Sequence, residues 1–115
     1  MRKIFNRGDI IVVDFDPALG QEQQGRRPAL VITPHEVNKL SNIVMIAAIT
    51  NGGNFARNMG FTVNLTGLGL ETTGVVRCDQ VRSIDVVQRN ASFKEHAPDE
   101  LCSEVLGKLA AMLGI

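Results

Sequence analysis

The chain has no tryptophan and no tyrosine, so five phenylalanines carry all its aromatic surface. It has no net charge, with 12 Lys and Arg against 12 Asp and Glu. That balance excludes a strong whole-protein field for drawing in nucleic acid but leaves room for a local basic cleft. The two cysteines, Cys78 and Cys102, make no CxxC pair and no ligand series, so they read as small buried thiols rather than a disulfide. Two histidines, His35 and His96, are too few and too scattered for zinc. No metal and no cofactor are therefore expected. The opening MRKIFNRGD lacks the apolar core of a signal peptide, and no apolar run approaches transmembrane length. A reduced, cytoplasmic protein with no membrane attachment is expected.

What is present suits one compact domain over residues 1–115, with 44% hydrophobic residues to build its core. The charge is unevenly placed. Arg26, Arg27, Arg57, Arg77 and Arg82 precede an acidic group of Glu95, Asp99, Glu100 and Glu104. β-Branched and apolar runs predict strands over 9–15, 29–34, 43–50, 61–66, 75–81 and 83–88. Residues 35–42 predict a short helix, and 16–28 and 51–60 predict two polar, glycine-containing loops. The strongest helix is predicted at the end, with Pro98 in its first position, Asp99 and Glu100 at its positive end, and Gly114 closing it. Its apolar stripe is Leu101, Val105, Leu109 and Met112 or Leu113. The fold class is mainly β with short helices: a small, curved antiparallel sheet or partial barrel with a C-terminal helix.

One stretch, GVVRCDQVR at 74–82, holds an apparent contradiction. It starts as a buried strand and then places Arg77 and Asp79 two residues apart. Strand alternation resolves it: Thr73, Val75, Arg77 and Asp79 share one face, and Val76, Cys78 and Gln80 the other. A same-strand ion pair on a solvated face is one reading, and such pairs contribute only about 0–1 kcal/mol. The other is a site in which Asp79 takes a proton and Arg77 stabilises an anion, held on a rigid strand.

The loops add to the second reading. GQEQQGRRP supplies Gln21, Glu22, Gln24 and Arg27, and NGGNFARNMGF supplies Arg57, Phe55, Phe61 and bare backbone amides, without the GK[ST] of a Walker A loop. Together they suit RNA cleavage without metal. The ribose 2′-OH is a built-in nucleophile, and the protein must supply a base, a cation for the phosphorane, and help for the departing 5′ oxygen. Phe61 or Phe55 can hold an unstacked base.

RGDIIVVDFDPALGQEQQGRRPALVITP, TNGGNFARNMGF and TTGVVRCDQVRSID closely resemble the PemK/Kid branch of the MazF-like toxins, in order and over roughly residues 7–113. The resemblance implies an SH3-like or PemK-type barrel and a homodimer. It also implies the toxin of a bacterial toxin–antitoxin pair, which inhibits translation and growth by cutting single-stranded RNA, commonly near a U–A step. The ends would be a 2′,3′-cyclic phosphate and a 5′-OH. A cognate antitoxin would cover the site, and DNA operator binding would belong to the toxin–antitoxin complex alone. Carried over by position, Asp79 matches the family base, and Arg77 the residue assigned as acid and phosphate stabiliser. Thr50, Phe61, Thr73 and Val75 match RNA-contact positions. Asn51 and Met59 stand where relatives often have Ser and a small residue, which implies a different base preference. Gln21 stands where the better-known relatives have a His; it can donate a hydrogen bond but cannot transfer a proton at neutral pH.

Two other readings come from different classes. A CcdB-type gyrase poison shares this barrel and acts by binding, and the AAMLGI terminus resembles its tail but lacks the tryptophan. A weakly active family member, acting mainly as an antitoxin-binding dimer, is motivated by Gln21.

Overall fold

A computed structural model describes residues 3–16, 20, 25–52 and 54–115, apart from the side chain of Phe55. Six strands form one antiparallel sheet: β1 Asp9–Asp14, β2 Arg26–Val31, β3 Ile43–Thr50, β4 Thr62–Asn64, β5 Val75–Asp85 and β6 Ser92–His96. Their spatial order is β4-β5-β3-β2-β1-β6. Three helices accompany them: α1 His35–Asn38, α2 Asn54–Asn58 and α3 Asp99–Leu113. The curled, mainly β architecture with a C-terminal helix is the one expected. Among the described residues no helix is long and apolar enough to cross a membrane.

The sheet buries both faces, because its central strand β3 is apolar at every position from Ile43 to Ile49 and its neighbours add apolar runs such as Ala29–Val31. One face collects Ile10, Leu30, Ala47, Ile49, Val76 and Cys78 against Leu101 and Val105 of α3. The other collects Ile11, Val13, Ala29, Val31, Val44, Ile46, Ala48 and Ile84 with Phe5 and Phe15. Odd and even residues divide between the faces along β1, β2 and β3, as a pleated strand requires.

Several expected elements are corrected. The two strands expected at 75–81 and 83–88 are one continuous β5. The polar loop expected over 16–28 ends earlier, because Arg26–Pro28 already pair with β1. Pro28 fits there because the β2–β3 ladder runs only from Ala29 to Val31, which leaves β2 open on that side. The loop expected over 51–60 contains α2, anchored by the fully buried Ala56. The helix expected over 35–42 is limited to His35–Asn38. Strand β6 was not expected at all: SFKEH is polar and mostly exposed, so as an edge strand it carries no apolar alternation to read. Pro98 caps α3 rather than opening it, and Gly114 ends it in the left-handed conformation at φ 77°. Of the predicted stripe, Leu101 and Val105 are buried and Leu109 packs at the margin, while Met112 and Leu113 are exposed.

Candidate active site

The site is made by an irregularity in β5. Val81–Asp85 pair with Ile43–Ala47, and Val75 and Val76 pair with Thr50 and Ile49. Between these two ladders Arg77, Cys78, Asp79 and Gln80 stand opposite Ala48 alone. The strand therefore bulges, and bulges beside functional sites re-aim side chains. The bulge also switches parity. Val76 faces the α3 side before it, and Val81 packs on that same side after it. On the opposite side, β4 holds the start of the bulge, since Thr62 pairs with Arg77 and the Cys78 amide donates to the Phe61 carbonyl at 2.9 Å.

At the bulge, Arg77 and Asp79 meet as a bidentate pair. Arg77 Nε donates to Asp79 Oδ1 at 2.8 Å, and Nη2 to Oδ2 at 2.7 Å. The side chains are only 14% and 22% exposed, so the solvated-face reading does not describe this pair. Asp79's hydrogen bonds raise the Arg77 pKa above its ordinary value, although partial burial pulls the other way. A guanidinium held this way keeps its proton. Among the described residues Asp79 takes only the Nε–Nη2 edge, which leaves the Nη1 edge for an anion.

Strand alternation aligns further expected residues with the pair. Ala29 and Val31 of β2, and Val44, Ile46 and Ala48 of β3, all face the second core. Arg27 and Thr50 continue those two series on the same face, and Val75 sits directly across from Thr50. Val75 is itself only 2% exposed and closed off by its neighbours. Thr50 and Asn51 are tied to the approach to β5: the Thr73 hydroxyl donates to Asn51 Oδ1 at 3.3 Å. Gly74 makes this possible. It holds φ at 106°, and a Cβ there would lie 2.3 Å from the Thr50 carbonyl oxygen. A TTG triplet before a β-branched pair was the only sequence signal for this close approach.

Other expected residues lie apart from the pair or are engaged elsewhere. Arg57 donates from Nε to the Gly52 carbonyl and from Nη2 to the Asn51 carbonyl, both at 3.0 Å, so it braces the loop after β3. Arg26, next to Arg27, is bound to Asp14 and Ser92. Met59 is 55% exposed beyond α2, and Phe61 lies half-buried at the entry to β4. Gln21, Glu22 and Gln24 lie outside the described residues, as does the side chain of Phe55. Arg82, not among the expected site residues, faces the second core, with its guanidinium 6.0 Å from the centre of the Phe15 ring.

Cys78 points to the core opposite the pair, as alternation predicted, and burial pushes its thiol up to about 11. Both cysteines are free. Among the described residues no group of three or more His, Cys, Asp or Glu stands together as a metal site.

Over residues 6–113 the chain matches the family described as PemK-like, MazF-like toxin of type II toxin–antitoxin system. Endoribonuclease PemK of Escherichia coli is 48% identical to it over 107 residues, covering 93% of this chain and 80% of the relative. The crystal structure of MazF from Deinococcus radiodurans has a TM-score of 0.85 at 34% identity, covering 99% of this chain and all of that one. A MazE–MazF structure from the same organism has a TM-score of 0.81, also at 34% identity, covering 99% of both chains. The three resembling stretches, the curled six-stranded sheet and the match across nearly the whole length agree: this chain belongs to the PemK-like, MazF-like toxins of type II toxin–antitoxin systems.

Proposed function

We propose that this chain is a cytoplasmic, metal-independent endoribonuclease that cuts single-stranded RNA near U–A steps, leaving a 2′,3′-cyclic phosphate and a 5′-OH. The observation that carries the reading is the sheltered, bidentate Arg77–Asp79 pair on the bulge of β5, on a chain of this family. Asp79 accepts the 2′-OH proton. Arg77 binds the phosphate through its open edge and opposes the charge that builds on the phosphorane, as a divalent metal would in other nucleases. The raised Arg77 pKa argues that this residue does not protonate the 5′ oxygen. That proton comes from water, since Gln21 cannot supply it.

Around the pair, Thr50, Asn51 and Thr73 form the wall against which the RNA runs, backed by the buried Val75, with Phe61 and Met59 at its edge. Arg27 adds positive charge from β2. Gln21, Glu22 and Gln24 of the first loop and Phe55 of the second are assigned supporting roles by the family resemblance, while Arg57 shapes the second loop through its carbonyls.

The active form is a homodimer. An apolar groove of about 480 Å³ is lined by Met45, Val81, Leu109, Met112 and Leu113 and reaches Asp79. A second copy covering it would close the site on one side. The natural regulator is a cognate antitoxin, as in the MazE–MazF assembly of the structural relative. Operator DNA is bound only by that complex.

Incubating the purified protein with an end-labelled U–A-containing RNA in EDTA tests the reading. Cleavage with a cyclic phosphate end supports it. Cleavage that needs added magnesium, or intact RNA alongside poisoned gyrase, overturns it.

A further inference from the structure

We propose that Glu95 is a positioning residue, a carboxylate clasp across the open seam of the curled sheet that fixes residues 72–75 against the end of β3. The strand order places β4 and β6 at opposite edges, with no ladder between them among the described residues. Yet Glu95 of β6 holds the segment that connects β4 to β5. Its Oε1 accepts the Glu71 amide at 3.1 Å, and its Oε2 accepts the Thr72 amide at 2.8 Å and the Thr72 hydroxyl at 2.5 Å. Two consecutive amides and a hydroxyl converging on one carboxylate are a charge-assisted set, stronger than neutral hydrogen bonds.

The backbone of β6 is shaped for this contact. Ile10 pairs with Glu95 and Ile11 with Phe93, so Lys94 is an extra residue in the ladder. That bulge re-aims Glu95 towards the seam. The connection it holds needs an anchor. Gly67, Gly69 and Gly74 all adopt positive φ there, and the stretch has no strand partner of its own. Immediately after the clasped Thr72, which is 4% exposed, come Thr73 on Asn51, Gly74 on the Thr50 carbonyl, and Val75 paired with Thr50. The clasp therefore sets where β5 enters the site, a short step before Arg77. As a role in the reaction, this rests on the reading of Arg77 and Asp79 as its centre.

The test compares Glu95→Ala, Glu95→Gln and Thr72→Val with the parent chain, at a temperature where all are folded. Amide exchange and shifts at residues 71–75 and Asn51 are read by NMR. RNA affinity is read with a U–A-containing strand carrying a 2′-deoxy sugar at the attacked ribose, and cleavage by single turnover. For Glu95→Ala, exchange at Glu71 and Thr72 should rise and the signals of Thr73, Gly74 and Asn51 should move. The half-saturating RNA concentration should rise roughly ten-fold while the saturated rate stays within about three-fold, since a contact wall is displaced and not the pair itself. Glu95→Gln, which keeps one acceptor oxygen, should recover part of the affinity, and Thr72→Val should show a smaller loss. Unchanged exchange and signals at 71–75 would overturn the clasp. Lower stability with unchanged RNA affinity would overturn its positioning role. A parent chain that neither binds nor cuts RNA would instead defeat the proposed function, and the NMR comparison would still decide the clasp. If Glu95→Ala does not fold, Glu95→Gln and Thr72→Val carry the same comparison.

Discussion

Arg77 and Asp79 lie side-on, with Nε and Nη2 of the one 2.8 and 2.7 Å from the two carboxylate oxygens of the other, on a stretch of β5 where the ladder to β3 is interrupted. The interruption matters as much as the pair. Without it, residues 77–80 would be held in regular register against β3.

The division of labour in this pair predicts rates. Asp79→Asn removes the base and Arg77→Ala the cation, and each should lower single-turnover cleavage by about 10²–10⁴. Arg77→Ala should also weaken RNA binding more than Asp79→Asn. Gln21→Ala should cost much less, and Gln21→His should raise the rate by adding a group that titrates near neutrality. Near-full activity in Asp79→Asn with none in Gln21→Ala would reverse these roles.

Gly74 is expected to tolerate no side chain. A Cβ would meet the Thr50 carbonyl oxygen at 2.3 Å and its carbon at 2.8 Å, both backbone atoms, at φ 106°. Gly74→Ala should destabilise the fold by about 2–4 kcal/mol in urea denaturation. Gly69→Ala is the control: it shares a positive φ of 74° but has nothing within 4 Å of the added carbon, so it should cost about 1 kcal/mol.

Cys78 should be inert in the folded protein. Burial raises its pKa to about 11, so the thiolate is scarce at neutral pH. Alkylation should proceed only on unfolding, and Cys78→Ala should retain the cleavage activity of its folded fraction. Rapid labelling of Cys78 in native buffer would contradict the packing described.

Stability should carry an acid-side contribution from Glu95. Partial burial alone would raise its pKa, but the Thr72 hydroxyl and the Glu71 and Thr72 amides outweigh that, and Lys94 adds to them, so the value falls below the ordinary 4.5. The folded-state value is therefore lower than the unfolded one. The contribution is present above about the unfolded value and is lost as pH falls through the folded value. Glu95→Gln should flatten this part of the stability–pH curve below pH 4.5 and leave the neutral range parallel to the parent. An unchanged acid limb in the variant would exclude Glu95 as its source.

The exposed apolar residues of β3 and α3 predict self-association. Met45, Met112 and Leu113, which are 39%, 39% and 72% exposed, line the groove that reaches Asp79, and Ile43 at the start of β3 is 46% exposed. Sedimentation at micromolar concentration should give twice the 12.5 kDa chain mass, and Met45→Glu with Leu113→Glu should shift it towards the monomer. A monomeric parent chain would reject the dimer.

Local order determined a good part of this protein. The β-branched run DIIVVD and the apolar run IVMIAAIT were enough to place β1 and β3, because a strand buried on both faces reads as an unbroken apolar stretch. Asp99, Glu100 and Gly114 marked the ends of α3 through the unpaired backbone groups that any helix leaves. Strand alternation put Arg77 and Asp79 on one face and Cys78 on the other. Tertiary structure decided the rest. The bulge at 77–80 follows from what β3 offers as a partner, so no local pattern in β5 announces it. Arg57 and Arg27 are both loop-flanking arginines in the sequence, and only folding sets one on loop carbonyls and the other on the face of the site. Glu95 looked like one more charge in an acidic stretch; it became a seam contact because curling brings the two edges of the sheet together across 23 residues of chain. Periodicity records which face a residue occupies, whereas the meeting of distant edges depends on the curvature that the whole sheet adopts.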